Sequence, residues 1–137
     1  MRIKLDMNVM KYISLFENFT RAKVKDCIEQ EGRLVFIVQK GEIGKAIGKN
    51  GLNIKKLTNM LKKKIKIAEY DEEITTFVKN VIMPNKASNI KEEEGIITII
   101  PIDTNTRGLL IGRGAINLKA YEEIKKRFFE IKKIRVI

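Results

Sequence analysis

The stretch IGKAIGKNGLNIKKL at residues 43–57 returns in altered form as RGLLIGRGAINLKAY at 107–121. Gly44 matches Gly108, Ile47 matches Ile111, Gly48 matches Gly112, Asn53 matches Asn117 and Lys55 matches Lys119, an offset of 64 residues (112 − 48). Upstream, EQEGRLVFIV at 29–38 parallels EEEGIITIIP at 92–101, with one residue's difference in spacing. Solenoid units are mostly shorter, about 20–50 residues, and need three or more copies to bury a continuous core. A longer unit present only twice predicts two small homologous modules, at 1–70 and 71–137.

Hydrophobic spacing predicts the same element order in each. In the first, Val9, Ile13 and Phe16 fall on one helix face. Strands follow at 22–30 and 34–38, with a turn at Gly32 between them. A short helix over 41–47, the glycine pair, a helix carrying Ile54, Leu57 and Leu61, and a strand at 64–68 complete the module. In the second, Asp71 is the expected N-cap of a helix carrying Ile74, Phe77, Val78 and Val81, ended by Pro84. Strands are expected at 85–91, 96–100 and 131–136, and Tyr121 and Phe128 share the core face of the last helix. Glu92–Glu94 predict a solvated turn. The fold class is α+β, an α/β sandwich.

Hydrophobic residues make up 44% of the chain, enough for a packed core. No apolar run approaches the ~20 residues of a membrane span, and MRIKLDMNVM lacks the apolar core and cleavage site of a leader. The single cysteine, Cys27, has no internal disulfide partner and no histidine beside it. This suits a reducing cytoplasm and excludes a Cys/His zinc cluster, and no metal or cofactor is expected. The absence of histidine removes the commonest general base and every Ser-His or Cys-His pair, so a non-catalytic protein is expected.

The net charge of +11 points to a polyanionic partner. A Lys-, Glu- and Ile-rich surface of the thermophile kind explains many charges but not their imbalance of sign. The excess is concentrated: residues 1–70 hold 16 basic and 7 acidic side chains, net +9, and residues 71–137 hold 12 and 10, net +2.

A glycine inside a helix costs about 1 kcal/mol relative to alanine, so Gly48 and Gly51 need a reason. Each repeat places such a turn just before the N-terminus of a lysine-bearing helix, where unpaired backbone N–H groups favour an anion. Gly48 and Gly51 would let a phosphodiester chain approach, with Lys49 and Asn50 pointing outward and Lys45, Lys55 and Lys56 adding charge. Ile47 and Ile54 brace the helices or line a groove for unpaired bases. The competing reading is a helix corner whose glycines only allow packing; recurrence of the turn beside Lys49 and Arg113 favours phosphate. Asn53 and Asn117 either bond locally or touch nucleic acid. Lys62–Lys64 read as a solvated helix end. Two enzymatic motifs fail. Gly44-xxx-Gly48-Lys49 is one residue short of a P-loop, and Asn117 replaces the last glycine of a dinucleotide fingerprint.

IGKNGLNIKKL at 47–57 resembles the signature of KH domains, whose GxxG loop clamps four nucleotides of backbone. The order α-β-β-α-α-β is that of the type II arrangement, and two such modules in tandem resemble the archaeal NusA-like transcription factors. The resemblance implies a three-stranded sheet covered by helices in each module, and single-stranded RNA binding during transcription elongation or termination. RNA polymerase is then a possible partner, and neither a membrane nor a small-molecule substrate is expected. Its RNA-binding positions fall on 45, 47–51 and 53–56, and on Gly112, Arg113, Gly114, Ala115 and Lys119. Alanine at 115 departs from the GxxG pattern and disfavours positive φ, which predicts a weaker grip, with Gly114 relaxing the turn. A ribosome-associated or RNA-processing factor, and a protein-interaction module that has lost RNA, are the alternatives.

Overall fold

A computed structural model describes residues 7–30 and 32–137. Most of the N-terminal segment considered above for a leader lies outside the described residues. The chain divides into two compact units, the first ending at Tyr70 and the second running from Asp71 to Ile137.

The first unit runs α1 (Met7–Thr20), β1 (Val24–Gln30), β2 (Arg33–Val38), α2 (Ile43–Ile47), α3 (Leu52–Leu61) and β3 (Lys64–Glu69). Its sheet has the order β1-β2-β3, with β1 antiparallel and β3 parallel to β2. A parallel neighbour requires a crossover of a dozen or more residues, and α2, a glycine turn and α3 supply it. β2 is a run of apolar and branched residues, as befits a strand covered on both faces. Leu34, Phe36 and Val38 join a core with Phe16, Cys27, Ala46 and Leu57, and the intervening Val35 and Ile37 are equally buried. The rings of Phe16 and Phe36 stack at 4.2 Å.

The second unit runs α4 (Ile74–Ile82), β4 (Ala87–Glu93), β5 (Ile96–Pro101), α5 (Thr104–Ile111), α6 (Ile116–Lys126) and β6 (Lys133–Val136), with sheet order β4-β5-β6 and the same sense of pairing. Both units therefore have the α+β class and element order expected from the sequence. Ile97, Ile99, Leu110, Tyr121, Ile124 and Ile134 are buried, and Phe77 of α4 meets Phe128 edge-on at 5.4 Å.

Local expectations change, among them the starts of β1, α2 and β4, each two residues later than expected. Asp71 does not cap α4: its carboxylate accepts from the Glu73 amide at 2.8 Å, and Glu73 occupies the cap position. Glu92 and Glu93 belong to β4 rather than to a turn. Glu94 and Gly95, both at positive φ, make the hairpin turn, and Glu92 accepts from the Gly95 amide at 2.8 Å. Phe128 lies beyond the end of α6, in the bend that precedes β6. The last strand starts at Lys133, two residues later than expected.

Candidate nucleic-acid interface

Between α2 and α3, Lys49–Gly51 form a single 3₁₀ turn. Gly48 enters it at φ 75°, ψ 171°, a conformation essentially reserved for glycine, and Asn50 and Gly51 continue at φ 56° and 72°. A Cβ on Gly48 would lie 2.7 Å from Cγ of Asn53. Asn53 is held there because its Nδ2 donates to the Lys45 carbonyl at 2.9 Å, tying the start of α3 to α2. Gly48 thus has an internal task beside the ligand approach inferred from sequence. A Cβ on Gly51 would meet nothing within 4 Å, so that position is constrained by its dihedral alone.

The second turn repeats the first. Gly112 sits at φ 74°, ψ 172°, Gly114 at φ 63° and Ala115 at φ 61°. Asn117 donates to the Leu109 carbonyl at 2.8 Å, and a Cβ on Gly112 would lie 2.8 Å from its Cγ. Both asparagines therefore bond locally. The methyl of Ala115, expected to disfavour positive φ, does not change the path of this turn. Ala115 takes up the left-handed conformation, at a cost of about 1–2 kcal/mol, and the fold around it keeps it there.

Both turns reach solvent. Lys49, Asn50, Lys55 and Lys56 are exposed in the first, as are Arg113, Gly114 and Lys119 in the second, while Ile47 and Ile54 are half-buried. The helices that follow, α3 and α6, begin at Gly51 and Ala115 with no side-chain cap. By contrast, Asp103 caps α5 by accepting from the Thr106 amide at 2.7 Å, which holds its carboxyl below the usual carboxylate range. The amides that open these helices bond within the turns, Gly51 to the Gly48 carbonyl and Leu52 to that of Lys49, Ala115 to Gly112 and Ile116 to Arg113, so what each turn offers an anion is the positive helix end with its neighbouring cations.

Lys45 is not a bare cation, for its ammonium lies 3.4 Å from the Glu42 carboxylate. Glu42 also accepts from the Lys23 amide at 2.9 Å; that bond first, and Lys45 second, keep its carboxyl below the ordinary range despite partial burial. In the run 62–64, Lys62 ends α3 in the left-handed conformation and Lys63 pairs with Glu29 at 3.1 Å.

Two groups escaped the sequence reading. Leu52 and Ile116 occupy matching positions just after each turn and are 48% and 59% exposed, so each turn presents an aliphatic side chain beside its cations. Their shared offset of 64 (116 − 52) was the available signal. Lys66 on β3 is partly buried, and loss of water, aided by repulsion from Arg33, lowers its ammonium to about 8.

Comparisons with known proteins find a family and relatives for this chain. A family model described as KH domain matches residues 11–86. The probable transcription termination protein NusA of Methanococcus vannielii is 34% identical, over 100% of this chain and 81% of its own length. Its namesake from Methanocaldococcus jannaschii is 30% identical, over 99% and 76%. The crystal structure of APE1850 matches with a TM-score of 0.77 and 31% identity, over 97% of this chain and 100% of that one.

Proposed function

The chain belongs to the KH-domain family, grouping with archaeal NusA proteins, and from that premise we propose that it binds single-stranded RNA as a non-catalytic factor of transcription elongation or termination. The observation that carries this reading is the exposed turn 48–51. It presents Lys49 and Asn50 outward and leads into an uncapped helix start flanked by Lys55 and Lys56. Phosphates would sit at the positive N-terminal end of α3, the lysines would neutralise them, and Leu52 and Ile54 would offer apolar surface to unstacked bases. RNA polymerase is the proposed protein partner, in line with the transcription termination role in the relatives' names. Among the described residues no helix is long and apolar enough to cross a membrane.

The test is the double substitution Lys49→Asp/Asn50→Asp. Both side chains are exposed and the chain should still fold. Affinity for a single-stranded RNA should fall by roughly tenfold or more, with a shallower salt dependence. Unchanged affinity in the folded variant would remove the turn from the mechanism. Co-purification with ribosomal particles instead of RNA polymerase would overturn the assignment to transcription.

A further inference from the structure

Residues 74–91 of the second unit contain Lys79, Lys86 and Lys91 and no acidic side chain, although the unit as a whole is nearly balanced. This segment folds as α4 and β4 around an open cavity of about 560 Å³, within the size range of small-ligand sites. Met83, Pro84 and Ile90 give it apolar surface, Asn85 an amide, and Lys79 and Lys86 positive charge; among the described residues no carboxylate lines it. Of the two acids that flank the segment, Glu73 is engaged by the hydroxyls of Thr75 and Thr76 at 2.9 Å each, and Glu92 accepts from the Gly95 amide at 2.8 Å. A second basic run, 125–135, borders another cavity, but Glu94 and Glu130 line that one too.

We propose that the α4–β4 cavity is a nucleotide subsite. An unpaired base lies on Met83, Pro84 and Ile90, Asn85 bonds to its edge, and Lys79 and Lys86 take the flanking phosphates. The proposal rests on the RNA-binding reading and adds a site remote in sequence from both glycine turns. It also gives the second unit a means of holding RNA that does not depend on its altered turn. Two lysines beside apolar, hydroxyl and amide groups favour an anionic ligand with a flat apolar face, which a nucleotide provides.

The full-length chain is cross-linked to a 20-nucleotide single-stranded RNA carrying 4-thiouridine, and the adducts are mapped. Adducts are expected within 83–90 as well as around 48–51. In Lys79→Glu/Lys86→Glu, affinity for the same RNA should fall about tenfold, and the salt slope should lose about 1.4, two contacts at roughly 0.7 each. Adducts confined to the turns overturn the subsite while leaving RNA binding intact, and so does an unchanged slope in the folded variant. No adduct anywhere, with no salt-dependent binding, overturns the RNA reading itself. If oligoglutamate competes as well as RNA for the cavity, the occupant is an acidic peptide and the proposal fails.

Discussion

Gly48 and Gly112 share their backbone, φ 75° and ψ 171° against 74° and 172°, and Asn53 and Asn117 make the same bond to the preceding helix. The attached chemistry diverges. Lys45 becomes Leu109, Asn50 becomes Gly114, Gly51 becomes Ala115 and Lys56 becomes Ala120. Shape in this turn is therefore set by one glycine and one asparagine, and charge is laid over it independently. A copy can keep the mould while losing much of the grip.

The largest expected effect tests the shared half of that comparison. Gly48→Ala and Gly112→Ala each force a Cβ into an asparagine amide at a glycine-only dihedral, and each should destabilise its unit by about 2–4 kcal/mol in urea unfolding. A loss in only one variant would mean that the two turns are not held alike.

A second pair shares sheet register. Lys66 lies opposite Val35 and Arg135 opposite Thr98, yet Arg135 is exposed while Lys66 is partly buried. Lys66→Met should stabilise the chain by about 1–3 kcal/mol at pH 7, because the native ammonium loses hydration on folding. The folded-state value is lowered to about 8 from 10.5, so unfolded chains bind more protons between those values and native stability rises with pH there. The advantage of the Met variant should shrink over that window. A constant gap from pH 7 to 11 would refute the burial cost.

Next comes a reciprocal exchange. Ala115→Gly should stabilise by about 1 kcal/mol and Gly51→Ala should destabilise by a similar amount, since the added methyl meets open space and only the dihedral is strained. Equal signs would show that the strain lies elsewhere. The smallest effect concerns charge: Arg113→Asp should weaken RNA binding by less than about threefold, against the roughly tenfold or greater loss at Lys49 and Asn50. A larger effect would make the second turn an equal partner.

The repeat and the alternation of apolar residues made the element order legible before any coordinates, because both record burial directly. The weakly patterned β4 was harder. Asn89 and Glu92 are exposed on that strand, so apolar alternation fades and the acidic run resembles a turn. The start of α4 was misplaced because Asp71 bonds two residues ahead, as readily as it would cap a helix. Of the candidate site, the exposure of Lys49, Asn50, Lys55 and Lys56 was readable as polar and charged side chains beside glycine. The Glu42–Lys45 pair, the burial of Lys66 and the α4–β4 cavity were not. Each joins groups whose proximity or environment depends on packing, which periodicity does not report.

The amide of Asn53 also bears on how fast and how tightly a ligand is captured. A receptor already fixed in its working shape gives up little disorder when it is filled. For the RNA contact proposed at this turn, counter-ion release would then govern the equilibrium, and diffusion with mutual orientation would govern encounter. Asn117 extends the same economy to the more weakly charged copy.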